Sequence, residues 1–502
     1  METGEVAEAD EAYQAAISQL EPLVQKYPDQ SRPRAALAQV LLNRGELLSD
    51  TGRLEDAEPV LNRCVELLSQ LVQEDPQTVE HQVALVSARE LLGRVFLDRG
   101  RYADAVRNMQ DAVDRATALT TAEPGDPRRL EARASAGLYL ASGLRVLGRP
   151  DEEAQAYRQA IKDYDALVEA LPGVAQFRES RALTQTDLAS LWYKLGRLTD
   201  AERELQPAQE VLQQLMTENP GFPRYVDEWA YSRDLQGEIL RERGRAAEAQ
   251  QACEEAIEAY EQLLQKPAGE AAANVTRQAE SLGLCRSHLG QTLHLQDDVE
   301  AADQAFQSAI DTLTAAAAAS PLVRDKLALV HRHRAVLFAQ QSRQEDAARE
   351  FGLARQIWGE LASADGAPAE HRYHLAWWLV NCPDAKLRDP QQASDLARQL
   401  TVEAPGNATY WNCLGVASYR AGRWESAAEA LEKAAQLRGF DDARDWCFLA
   451  MARWQLKDEK QAQDARQRGQ QAVATVPGNL EVRRILQESD ELLGESPGAA
   501  PR

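Results

Sequence analysis

The 502-residue chain is poor in aromatic residues, at 6%, and has only seven histidines. Its apolar residues do not follow the period-two alternation of half-buried strands, which excludes a β-sandwich or barrel. Its six cysteines, Cys64, Cys253, Cys285, Cys382, Cys413 and Cys447, are scattered, and none forms a C-x-x-C pair. That excludes a zinc ribbon or a disulfide framework and fits small packing residues in a reducing compartment. Basic residues are outnumbered, 56 against 79 acidic, for a net charge of −23. Such a balance argues against a nucleic-acid partner, whose phosphates need clustered Lys and Arg, and against an anionic membrane surface. No apolar run approaches the roughly 18–20 residues of a membrane-spanning helix, and no charged-then-apolar leader opens the chain. The expected location is cytoplasmic.

Catalytic and cofactor motifs are missing as well. There is no Gly-rich phosphate loop, no G-x-S-x-G and no H-E-x-x-H. His371-x-x-His374 has helical i, i+3 spacing beside Glu370, and His331-x-His333 lies upstream. Acidic neighbours are commonplace in this composition, so neither pair is assigned a metal. Asn274-Val275-Thr276 and Asn407-Ala408-Thr409 match the glycosylation pattern, but without a secretion signal both are discounted. The expectation is no catalytic residue, no cofactor and no metal, and hence not an enzyme.

What is present is a ladder. Gly4, Gly52, Gly100, Gly148, Gly196 and Gly244 stand at a fixed interval of 48, and from Gly52 on each is followed by Arg. Five places after the glycine comes Ala9, Ala57, Ala105, Ala201 or Ala249. Twelve places after it comes Ala16, Cys64, Ala112, Ala160, Ala208 or Ala256. Seven before it, from the second rung on, is Gly45, Gly93, Ala141, Ala189 or Gly237. Pro28, Pro76, Pro124, Pro172 and Pro220 close the units. Such a unit is a helical hairpin. Small residues let two helices approach, Gly-Arg turns the chain, and proline ends the second helix. Pro22 and Pro207 fall inside second helices and should bend them, Pro59 less so.

These spacings resemble the tetratricopeptide repeat, whose unit is about 34 residues. The excess length divides equally between the two helices. Cys64 to Pro76 spans 12 residues where Ala434 to Gly439 spans five, and Pro76 to Gly93 spans 17 where Pro405 to Gly415 spans ten. Seven added residues are close to two helical turns, so the same face stays inward. The resemblance implies an all-α, helical-hairpin solenoid: long 48-residue repeats over 1–368, atypical and standard-length repeats over 369–490, and a disordered tail over 491–502. The ladder continues in degraded form at Asp297 and Ser342. In the last repeats Trp411 and Gly415 lead to the Gly422 turn, and Trp446 leads to Lys457. Trp411 and Trp446 match the repeat's packing tryptophan. Because Gly4 would be a turn, the first hairpin is expected to lack its first helix, as in a piece cut from something longer.

The run Leu375-Ala376-Trp377-Trp378-Leu379-Val380-Asn381-Cys382-Pro383-Asp384, with Arg388-Asp389-Pro390 and the segments from Trp411 and Asp445, adds a narrower likeness. Residues of about 375–465 resemble the end of the tetratricopeptide region that follows the kinase domain in many planctomycete serine/threonine kinases. No kinase motif is present, so no kinase residue carries over. The resemblance implies a regulatory or docking segment.

The leading expectation is a non-catalytic scaffold that binds a protein or peptide. The alternative is the docking tail of a kinase whose catalytic domain lies upstream of Met1. Self-association through an open N-terminal end is a third reading. First helices of such solenoids line the concave face. Offsets of −3, +1 and +4 from each small residue give Glu46, Glu90, Arg94, Arg145, Asp234, Glu238 and Arg241 in the long repeats. In the last repeats they give an aromatic and amide set, Tyr373, Trp377, Asn412, Tyr419 and Trp454. Aromatics beside an amide suit an extended peptide, while the plainer alternative is that they pack between hairpins.

Overall fold

A computed structural model describes residues 2–265, 272–317, 321–364, 366–439 and 441–494. The expected tail lies outside these from residue 495 on. The described residues form 22 α-helices and one 3-10 turn, with no strand among them. In chain order the long helices are α1 (Glu2–Lys26), α2 (Ser31–Asp50), α3 (Leu54–Glu74), α4 (Val79–Asp98), α5 (Tyr102–Ala122), α6 (Pro127–Val146), α7 (Pro150–Ala170), α8 (Ala175–Lys194), α9 (Leu198–Glu218), α10 (Pro223–Glu242), α11 (Ala246–Gln265), α12 (Ala272–Leu295), α13 (Val299–Ala317), α14 (Pro321–Gln340) and α15 (Gln344–Ala362). The shorter ones are α16 (Ala369–Asn381), α17 (Pro390–Glu403), α18 (Ala408–Arg420), α19 (Trp424–Arg438), α20 (Ala443–Gln455), α21 (Glu459–Thr475) and α22 (Leu480–Leu493). Helices of 20 and 21 residues, such as α4 and α5, give way to helices of 13 to 15, such as α18 and α19. Those lengths fit seven residues added to each helix. Pro22, Pro59 and Pro207 sit inside α1, α3 and α9 without interrupting them.

The chain divides into two compact units, 1–188 and 189–502. Within each, an even-numbered helix packs antiparallel on the odd-numbered helix that follows it. Even-numbered helices also pack along the series, α2 on α4 on α6 in the first unit, α10 on α12 on α14 and α16 on α18 on α20 in the second. That places them on the tight, concave side of each unit.

The glycine rungs are left-handed turns. Gly52, Gly100, Gly148, Gly196, Gly244 and Gly422 have φ of 66 to 75°. The next residue's N–H closes the helix end, as in Arg101 to Phe96 O at 2.8 Å, a Schellman arrangement. Where glycine is lost, Asp297, Ser342 and Lys457 hold the same conformation, at φ 63, 57 and 62°. Gly4 lies within α1 and shares only the spacing. After three of the turns the arginine staples neighbouring hairpins. Arg53 reaches Asp10, Arg101 reaches Glu58 and Arg245 reaches Glu202, while each also meets a carboxylate three residues on.

Small residues are where the paired helices meet. A Cβ on Gly93 would stand 2.7 Å from Met109, on Gly237 2.7 Å from Cys253, and on Gly415 2.5 Å from Leu431. Ala112, Ala208 and Ala256 are wholly buried, and Ala160 nearly so. Burial of these faces at about 25 cal/mol per Å² of apolar area is what holds hairpin to hairpin.

Candidate functional site

The concave side of the second unit carries two groups of polar side chains and one apolar bed. The first polar group lies toward its start. Asp234 and Glu238 are one turn apart on α10, and His288 on α12 inserts between them. Its Nδ1 is 2.9 Å from Asp234 Oδ1, and its Nε2 is 3.5 Å from Glu238 Oε1. Tyr193 donates to Glu238 at 3.1 Å. Burial would lower the imidazole's pKa, but the two carboxylates outweigh it and raise it. His333 on α14 shows the opposite behaviour. Burial, with Arg332 and Arg241 nearby, pushes it well below the usual range. Asp234, Glu238 and His288 bring three potential ligand atoms within 4.8 Å of one another. With both imidazole nitrogens facing a carboxylate, the arrangement favours the protonated ring.

The other charged positions on the long first helices are tied to their own or a neighbouring repeat. Arg94 pairs with Asp50 at 2.6 Å, and Arg145 with Glu153 at 2.9 Å. Glu90 is buried, which pushes its carboxyl up to about 8. His374 is engaged by Asp325 at 2.8 Å, and His371 is buried in α16.

The apolar bed lies on α16, α18 and α20, where the expected aromatic and amide residues sit. Tyr373 is half-buried, its ring 5.8 Å from that of Tyr410. Trp377, Tyr419 and Trp454 are buried, and Tyr419 packs edge-on against Phe448 with centroids 5.7 Å apart. Asn412 donates its amide to Asp445 at 2.6 Å, and Asp445 also accepts from Arg438 at 2.9 Å. Trp411 and Trp446 are half-buried rather than enclosed. The Trp411 indole donates to Pro405 O at 2.8 Å, and Arg468 lies over the Trp446 ring.

The sequence alone did not single out α22. Its side chains Ile485, Leu492 and Leu493 join the same apolar cluster as Trp377, Tyr419 and Trp454. It packs on α20 and α21 and then reaches across the concave face. Glu481 accepts from Arg332 of α14 at 2.8 Å, Arg484 donates to Asn381 of α16 at 2.6 Å, and Glu488 takes both guanidinium nitrogens of Arg420 of α18. The loop before it is pinned by Gly478 N–H on Glu242 O at 3.0 Å, at the end of α10. No side chain fits at that glycine, because a Cβ would strike the Arg241 carbonyl. The wall beneath α22 is basic although the chain is acidic. Burial, then the neighbouring Arg420, lowers Arg388 to about 10, and burial with Arg420 also lowers Arg484, which belongs to α22 itself. Burial would raise Glu488, but the Arg420 bonds hold it below the usual carboxylate range. The amphipathic spacing of Val482, Ile485, Ser489 and Leu492 behind Asn479 as N-cap was available in the sequence. The charge pairs were not, since they join residues 68 to 149 positions apart.

A fold of stacked helical hairpins with left-handed turns defines a helical-repeat protein. The particular repeat follows from comparison: tetratricopeptide repeat models match residues 38–67, 90–168, 229–267 and 408–439. The chain therefore carries tetratricopeptide repeats. No curated protein matches it. Among solved structures it is similar to BtubC (BKLC) from P. vanneervenii, with 20% identity over 52% of this chain and 91% of that one, at a TM-score of 0.41. The apo form of RapI is 12% identical over 80% of this chain and 98% of its own, at 0.43. A Rap protein complexed with competence and sporulation factor is 12% identical over 82% and 98%, at 0.42. Among the described residues, no helix is long and apolar enough to cross a membrane.

Proposed function

We propose that the protein is a non-catalytic interaction scaffold that binds a protein or peptide on the concave face of its C-terminal repeats, around Tyr373, Trp377, Asn412, Tyr419 and Trp454. The observation that carries this is the placement of that set on three first helices, α16, α18 and α20, packed side by side. Aromatic rings with an apolar bed and a rim of arginines offer contact area and orientation at low entropic cost. The free cysteines are all buried, which suits a reducing, cytoplasmic setting. A photo-crosslinking residue at Tyr373, compared with one at the outward Arg398, tests the reading in cells. The same partner should be captured from Tyr373 and not from Arg398. Capture from both alike, or only from Arg398, would sink it.

The likeness of residues 375–465 to kinase-associated repeats favours a second reading, a docking segment for a serine/threonine kinase encoded upstream. The DNA preceding the Met1 codon decides it. An open frame with kinase motifs supports that reading, and a stop codon there removes it. Self-association is a third, separable by sedimentation.

A further inference from the structure

The concave face of the C-terminal repeats already holds a helix, and that helix sets two carboxylates, Glu481 and Glu488, on two arginines of the wall. A segment that only closes the last hairpin needs contacts with α20 and α21. α22 has those, and it also places Glu481 on Arg332, Arg484 on Asn381 and Glu488 on Arg420, crossing α14, α16 and α18. That is the footprint of a groove ligand. Its apolar stripe faces the same cluster as Trp377, Tyr419 and Trp454, while Arg483, Gln487 and Glu491 face solvent. Arg420 is itself nearly enclosed, at 8% side-chain exposure. A buried guanidinium left without its carboxylate is costly, so whatever replaces α22 must bring an anion to the same point.

We infer that α22 is a resident occupant of the groove, and that the partner is an amphipathic helix with two carboxylates seven residues apart, which binds by displacing it. This rests on the concave-face reading above and adds the partner's chemistry and a built-in inhibition. The affinity seen from outside is the intrinsic one multiplied by the fraction of time α22 is unseated.

The test uses the full chain and a fluorescent synthetic peptide of residues 479–494, followed by anisotropy. In the chain, Glu481→Arg with Glu488→Arg sets like charges against Arg332 and Arg420 and should unseat α22. The peptide should bind this variant at least tenfold tighter than wild type. Adding Arg420→Glu should abolish the gain, and a peptide carrying Glu488→Arg should restore binding to that triple variant. Hydrogen exchange over 480–493 reports whether α22 has been released. Equal peptide binding to wild type and variant, with α22 released, overturns the inhibition but keeps the groove. Absence of binding to both, with α22 released, overturns the groove itself. If the variant does not fold, exchange in the wild type decides. Opening of 480–493 at least tenfold more often than α18 and α20 supports the inference, and opening only together with them makes α22 a structural cap and refutes it.

Discussion

Replacing Gly100 by alanine isolates the turn that generates the ladder. Gly100 has φ of 73°, and a Cβ there meets nothing within 4 Å, so the effect is one of backbone conformation alone. An L-residue in the left-handed region costs about 1–2 kcal/mol. Alanine also narrows the unfolded ensemble, returning about 0.4–1 kcal/mol. The net destabilisation is therefore about 1 kcal/mol, or roughly fivefold in the local opening equilibrium. The mirror experiment is Lys457→Gly. Lys457 is exposed and carries the same strain at φ 62°, so glycine should stabilise by about 0.5–1 kcal/mol. Solenoids open segment by segment, so amide exchange within α4–α5 and within α20–α21 is the assay, rather than a global melt. The two substitutions should move protection in opposite directions. If Gly100→Ala leaves α4–α5 unchanged, or Lys457→Gly lowers protection in α20–α21, the turn argument is wrong.

Three further outcomes are expected. Ala112→Leu and Ala256→Leu, at wholly buried helix contacts, should each lose about 1–3 kcal/mol by overpacking, while Gln155→Leu on an exposed face should change stability little in the same denaturation series. Asp445→Ala removes the partner of Asn412 and Arg438 from a fully buried position and should cost about 3–5 kcal/mol, seen as lost exchange protection in α18 and α20. The pH dependence of His288 follows from its raised folded-state pKa. Its contribution to stability is full below the unfolded value of about 6.5 and disappears as pH rises through the folded one. His333, lowered by burial, works in the opposite sense and loses stability as pH falls below about 6.5. Imidazole titration by NMR should show His288 protonated above the pH at which His333 is neutral.

The repeat was legible because its causes are local. A left-handed turn selects glycine, a close helix contact selects Gly, Ala or Cys, and both recur at a fixed interval, so turns and helix lengths follow from spacing. The degraded rungs were readable for the same reason. Asp297 and Ser342 keep a small residue seven before and an alanine five after although the interval drifts from 48, and with Lys457 they hold the expected conformation. Gly4 shows the limit, since spacing alone placed a turn where the chain is helical. The candidate site was only partly legible. Offset counting put Asp234, Glu238 and Arg241 on the inner face but missed His288, which comes from another repeat 54 residues on. It named Asn412 without Asp445, the group to which its amide is bonded. It missed α22 on the groove because two long-range charge pairs, to Arg332 and Arg420, and a hydrogen bond to Asn381 fix that helix's position. Such pairs leave no periodic trace in the sequence.

On this reading the concave face of the C-terminal repeats is a helix-binding surface held by α22 until a partner replaces it. Its most direct test is hydrogen exchange on the wild-type chain with increasing 479–494 peptide. Residues 480–493 should lose protection as peptide is added, while α16, α18 and α20 keep theirs. Unchanged protection of 480–493 at saturating peptide, or loss spread evenly over the repeats, would contradict it.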